Sequence, residues 1–197
     1  MEGTQDPARA EKERLRAEYR RRRAALGDDG RRRASREIAA RLLALPEVDG
    51  AELVHLYWPA DARHEVDTRP VLSALEARGV RVALPVVTSA HGAPPRLSHR
   101  LHVPGAMAPG RFGVMEPVGT LEIDASEVDV AIVPALGADR AGTRLGYGGG
   151  FYDAFLDGAE YPVVCPVFDT CLADALPREA HDRPVDIVVT ETRVLRI

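Results

Sequence analysis

Glycines crowd the segment from 137 to 150: Gly137, Gly142, Gly146, Gly148, Gly149 and Gly150. The apolar run VDVAIVP at 128–134 leads into them and an amphipathic FYDAFL at 151–156 follows, so the order is strand, glycine-rich loop, helix start. Bare backbone can turn its N–H groups toward a phosphate chain in conformations that a Cβ would forbid. A helix beginning near Gly150 would add free N–H donors and the positive end of its dipole. The chemistry this spacing suggests is polyphosphate binding; a glycine-rich turn without a ligand is the plainer alternative. Two familiar phosphate loops do not fit. No Lys-Ser or Lys-Thr follows the glycines, and Gly146-x-Gly148-x-x-Phe151 lacks the third glycine of the dinucleotide fingerprint.

The longer stretch DRAGTRLGYGGGFYD at 139–153 closely resembles the signature of the 5-formyltetrahydrofolate cyclo-ligase family. Three further blocks resemble family segments in the right order: KERLR at 12–16, EVDT at 65–68 and HDRPVD at 181–186. The resemblance implies conversion of 5-formyltetrahydrofolate, with ATP and Mg²⁺, to 5,10-methenyltetrahydrofolate, ADP and phosphate. It gives Lys12 and Arg144 catalytic roles. It assigns ATP contacts to Lys12, Arg16, Arg144, Leu145, Gly146, Tyr147, Gly148, Gly149, Gly150, Phe151 and Tyr152. On the folate side it implies Glu65 against the pterin, Trp58 as an apolar wall, and Tyr147 to Phe151 between the two substrates. Asp153 and Asp182 would hold the metal, and hard carboxylate oxygens suit magnesium. Plainer readings stand beside these: Asp153 as a first-turn helix carboxylate, Asp182 as a loop cap and Trp58 as core. Two departures from the family pattern stand out. The 57–65 stretch is longer than the usual spacing, and Gly149 stands where some members carry lysine, which leaves charge neutralisation to Arg144, Lys12, Arg16 and the metal.

Lys12 is the one lysine of the chain, every other strongly basic residue being arginine. A compositional bias toward arginine explains the general replacement, so the survivor marks a place where a compact ammonium is required. Positive charge gathers in residues 9–41, which an arginine-rich RNA-binding module would use. Interleaved Glu11, Glu13, Glu18 and Glu37, with a net charge of −4, point instead to solvated helix faces carrying i,i+4 pairs. A catalytically idle relative that binds nucleotide or folate is the nearer rival to an enzyme.

The elements that must position these residues follow from periodicity. A leader over residues 1–8 is expected to be disordered, and 9–197 to form a single domain, monomeric and cytoplasmic. No run approaches the roughly 18 apolar residues of a membrane span, and no apolar signal-peptide core is present. The pattern predicts helices over 8–26 and 32–45, broken by GDDG at 27–30. Strands are expected at 52–58, 80–87, 128–134, 161–168 and 185–190, with a helix over 70–78 capped by Asp67 or Thr68. This alternation predicts an α/β fold: a three-layer α/β/α domain with a mostly parallel sheet, preceded by two N-terminal helices. Residues 89–120 read as irregular apart from a short strand at RLSHRLHV. Cys165 and Cys171 read as buried reduced thiols, and His99 and His102, without acidic or cysteine companions in sequence, as surface or core histidines rather than metal ligands.

Overall fold

The computed structural model of the chain describes residues 7–90, 92–179 and 182–197. Residues 1–6, most of the expected leader, lie outside these, as does His181 of the C-terminal block.

Helix α1 (Pro7–Ala25) is followed by α2 (Gly27–Leu43) with Leu26 alone between them. The expected GDDG break and the start of the second helix near residue 32 are therefore corrected. Gly27 takes the reversal at φ +63, and Asp28 and Asp29 lie in the first turn of α2, where carboxylates complement the helix dipole. Glycine's low helix propensity is overridden within one turn. Short α3 (Pro46–Asp49) begins at the proline that ends the α2 region, and α4 (Arg69–Ala77) starts within a residue of its expected position. Asp67 accepts from the Arg69 N–H at 3.1 Å, whereas Thr68 donates its hydroxyl to the Tyr57 carbonyl at 2.6 Å.

Eight strands form the main sheet, in the order Val194–Arg196, Ile187–Val189, Val163–Pro166, Val130–Ile132, Leu53–His55, Arg81–Val87, Leu97–Leu101, Glu122–Ile123. The five from Ile187–Val189 to Arg81–Val87 run parallel, with Val54 beside both Val82 and Val130. The outer three pair antiparallel. Alternating side chains divide between two cores: Val54, Val130 and Val164 pack in one with residues of α2, α3 and α4, and Leu53, Ala131 and Val163 in the other with Leu156 of α5 (Phe151–Leu156). That two-sided burial is why these strands read as continuous apolar runs rather than as alternating ones. It produces the three layers.

A second sheet joins Gly137–Asp139, Arg144–Leu145 and Leu172–Ala173. The middle segment is not irregular throughout, because Met107–Pro109 and Met115–Pro117 pair as a hairpin. His99 and His102 both fall to the buried side of the two expectations: His99 is 5% exposed, and the His102 ring lies 2.6 Å from a Glu76 carboxylate oxygen. Cys165 and Cys171 are free and buried as expected, and burial pushes the Cys165 thiol up to about 12.

Candidate functional site

Sheet topology says where a ligand should sit. From Leu53–His55 the chain moves to Arg81–Val87 on one side, while Val130–Ile132 occupies the other, so the strand order reverses between the first and third of these. Crevices in open α/β sheets form beyond the carboxyl ends of strands at such a reversal. Tyr57 and Trp58 follow one of the two strands, Pro134 follows the other, and all three line a cleft of about 530 Å³.

The same cleft is lined by every site residue the sequence singled out: Lys12, Arg16, Trp58, Glu65, the run from Arg144 to Asp153, and Asp182. Helix α1 supplies the two basic residues from its face. Lys12, 5% exposed, donates to Glu179 at 2.5 Å and to Asp182 at 2.6 Å. Burial by itself would lower the Lys12 ammonium, but its hydrogen bonds to Asp182 and Glu179 outweigh that and raise it, so it stays charged. Arg16 donates through Nε to the Gly146 carbonyl at 2.9 Å and pairs with Glu13 at 2.6 Å. Arg144, on the strand before the glycines, is almost wholly buried and donates to Asp153 at 2.7 Å.

The glycines serve different ends. Gly148 has φ +92, and a Cβ there would lie 3.3 Å from Arg16 Cζ, so the bare backbone lets the guanidinium close over the loop. Gly150 takes φ +68 at the start of α5, as expected, although that helix is only six residues long and its dipole correspondingly slight. Upstream, the first part of the signature builds a turn. The buried Asp139 carboxylate accepts from Ala141 N–H at 2.9 Å and Thr143 N–H at 2.8 Å through one oxygen, and from Leu176 N–H at 2.8 Å through the other. Gly142, at φ +80, leaves room for the Val185 carbonyl, 2.5 Å from where a Cβ would be.

The opposite wall carries the 57–65 segment. Residues Asp61–Arg63 make one tight turn that ends at His64 in the left-handed conformation, φ 50, after which Glu65 turns back and accepts the Ala60 N–H at 2.7 Å. Trp58 is half-buried, packs on His102 with ring centroids 6.2 Å apart and also lines the cleft, so its packing and lining roles coincide. Burial first, then the nearby Glu65 carboxylate, pushes the Tyr147 phenol well above its usual range against the pull of Arg23.

Sequence reasoning missed several lining residues: Arg63, Phe112, Glu116 and Glu179. It also missed Arg23, 2% exposed, whose guanidinium donates to the Tyr147 hydroxyl at 2.8 Å and to the Ala135 carbonyl. Helical spacing could have found it, since Lys12, Arg16, Tyr19 and Arg23 recur on one face of α1. The expected surface pairing of the arginine-rich segment is present in Arg14–Glu18, Arg22–Glu18 and Arg41–Glu37.

Among the described residues no group of three or more His, Cys, Asp or Glu could hold a metal, which excludes an all-protein cage there. Asp153 and Asp182 both border the cleft, and carboxylates of that kind are compatible with magnesium, which keeps several waters and commonly shares one or two carboxylates with substrate phosphates. Among the described residues no helix is long and apolar enough to cross a membrane.

Fold and cleft together define a class: an α/β enzyme whose crevice, at a topological switch point, is lined by basic and acidic side chains in near-equal number. The model of the 5-formyltetrahydrofolate cyclo-ligase family matches residues 8–191, and the chain belongs to that family. It is 33% identical over 180 residues to the 5-formyltetrahydrofolate cyclo-ligase of Escherichia coli (strain K12), spanning 89% of this chain and 97% of that one. With the enzyme of the same name from Mycolicibacterium smegmatis it shares 40% identity over 128 residues, 62% of this chain and 66% of the relative. Among solved structures, the 5,10-methenyltetrahydrofolate synthetase of Aquifex aeolicus superposes with a TM-score of 0.81 at 33% identity, covering 94% of this chain and 92% of the other. The synthetase of Mycoplasma pneumoniae, at 20% identity and a TM-score of 0.73, shares the fold, with 91% and 98% of the two chains covered. Family membership makes the protein a ligase of folate one-carbon metabolism.

Proposed function

We propose that the protein converts 5-formyltetrahydrofolate and ATP, with magnesium, into 5,10-methenyltetrahydrofolate, ADP and phosphate. The observation that carries this reading is that the cations, the glycine loop, the two aspartates and the folate-side pair Trp58 and Glu65 all border one cleft. An idle nucleotide-binding relative would have no need of both halves.

A formyl oxygen is a poor leaving group. Transfer of the ATP γ-phosphate to that oxygen makes it a good one; N10 of the same folate then attacks the resulting iminium carbon and gives up its proton to solvent, closing the ring before phosphate departs with the former formyl oxygen. Phosphoryl transfer asks the protein mainly for position and charge. Arg144 and Arg16 are the forked donors for phosphate oxygens, and Lys12 is the compact point charge. Backbone N–H groups from Gly146 to Gly150 complete the cradle. Asp153 and Asp182 would hold magnesium, with Arg144 and Lys12 keeping each carboxylate in place. When bound, the metal neutralises charge at the transferring phosphate.

On the folate side, Glu65 borders the cleft with one oxygen held by the Ala60 N–H, and its carboxylate would accept from pterin N–H groups. Val87, Leu97, Phe112 and Val114 give the cleft an apolar wall. Such a wall keeps water from the phosphorylated formyl group until N10 reaches it.

The test is ultraviolet absorbance of the purified protein with 5-formyltetrahydrofolate, magnesium and ATP, followed for the methenyl chromophore, with ATP omitted as control. Growth that depends on ATP is the expected result. No growth while nucleotide still binds would overturn the reading in favour of a repurposed relative.

A further inference from the structure

Arg23, in the last turn of α1, is buried more deeply than Lys12 or Arg144, yet it does not line the cleft. Those two face carboxylates. Among the described residues the partners of Arg23 are neutral: the Tyr147 hydroxyl at 2.8 Å, the Ala135 carbonyl and the neighbouring Cys171 thiol, while its Nε has no partner. Taking a guanidinium out of water is costly, and a carboxylate in contact is the usual compensation. A cation buried against neutral groups is a poor device for stability, so its place at this point of the fold calls for another reason.

Tyr147 supplies one. Its hydroxyl oxygen accepts from Arg23 and must therefore aim its own proton elsewhere. The Glu65 carboxylate is the acceptor at hand: it acts on that hydroxyl through a hydrogen bond as well as by its charge, and the same charge is felt at Arg23. The ring between them is held by its face, with the Arg63 guanidinium carbon 4.8 Å from its centre. Glu65 is itself 5% exposed, borders the cleft and takes the Ala60 N–H on Oε2 at 2.7 Å. A carboxylate gripped by a backbone N–H and by a phenol is set in one orientation before any substrate arrives.

Resting on the cyclo-ligase reading, we propose that Arg23 is a positioning residue for the folate: it turns the Tyr147 hydroxyl toward Glu65 and so fixes the carboxylate that receives the pterin N–H groups. Arg23 touches neither substrate. Its influence reaches the cleft through the phenol alone, so the ATP end, with Lys12, Arg16 and Arg144, does not depend on it.

The experiment measures calorimetric binding of 5-formyltetrahydrofolate and, separately, of ATP with magnesium, in the unaltered protein, Arg23→Met, Tyr147→Phe and the two combined. Each single substitution should raise the Kd for 5-formyltetrahydrofolate about tenfold, the size expected when one hydrogen bond to a charged group is lost, and leave the Kd for ATP within twofold. The combined variant should bind the folate no worse than either single one, because both cut the same relay. Added to Glu65→Ala, where the relay has nothing to hold, Tyr147→Phe should cost less than twofold. A merely structural Arg23 would weaken both ligands together and would multiply with Tyr147→Phe, and either result would overturn the proposal. A further tenfold loss from Tyr147→Phe in the Glu65→Ala background would overturn it too, since the hydroxyl would then serve the folate directly. Should Arg23→Met fail to fold, Tyr147→Phe with and without Glu65→Ala still decides the matter. Unchanged folate affinity in Tyr147→Phe overturns the proposal alone, whereas an unaltered protein that takes ATP but no 5-formyltetrahydrofolate overturns the cyclo-ligase reading along with it.

Discussion

The two halves of the signature 139–153 do different work although they read as one motif. From Asp139 to Thr143 the residues bond inward: a buried carboxylate holds three backbone N–H groups, and Gly142 makes way for a carbonyl. From Arg144 to Asp153 they border the cleft. A motif can therefore be strict over its whole length for two unrelated reasons, and only its second half speaks about chemistry.

Substitutions should separate the halves. The largest effect is expected from Asp153→Asn, which removes charge at the proposed metal site and should lower kcat by about a thousandfold or more with the melting temperature little changed. A folded Asp153→Asn protein with an ordinary rate would end the metal assignment. Asp139→Ala should do the converse. Three backbone N–H groups lose their acceptor, for about 3 kcal/mol of stability and a melting temperature lower by roughly 10 °C, with turnover per folded molecule kept. Lys12→Arg tests the cleft half more finely: a planar fork cannot sit between Glu179 and Asp182 as the ammonium does, and a loss of about a hundredfold in kcat/KM is expected from steady-state assays.

The smallest effect lies in neither half. His99 is held down to about 4 by burial, against the opposing pull of Asp124, and the neighbouring His55 lies well below its usual 6.5 through burial and the presence of His99. Between these values the unfolded chain binds protons that the folded one excludes. Stability is thus complete above 6.5 and declines as pH falls toward 4, by about 1 kcal/mol per pH unit for each such ring. Denaturant melts across that window should show the decline, and His99→Leu should make it shallower by the share of one ring, His55 keeping the share that its own burial causes.

Much of this was legible in the sequence for a physical reason: the cleft residues from Arg144 to Asp153 are contiguous, and the parallel strands are continuous apolar runs. Lys12 stood out by composition. What escaped depends on partners far along the chain. Glu116 reaches the cleft through the hairpin of Met107–Pro109 with Met115–Pro117, whose few residues carry no usable periodicity. Arg23 looks like one more surface arginine until α1 is laid against Tyr147 and Ala135. The GDDG at 27–30 misled because glycine's weak helix preference is a local cost, and the acidic first turn of α2 together with packing of Ile38 and Leu42 overrides it.

Gly137 has no side chain, and the Tyr19 ring occupies the space one would need, with Cε2 only 2.2 Å from the position of a Cβ. Tyr19 belongs to the same helix as Lys12, Arg16, Arg20 and Arg23, so a methyl group at 137 would lever that helix outward as a rigid rod. Four charged groups would shift together, at a site that itself never meets a substrate. A change there would look in kinetic assays like damage to the active centre, and the helix would be behaving as a key whose depth in the lock is set by a single missing atom.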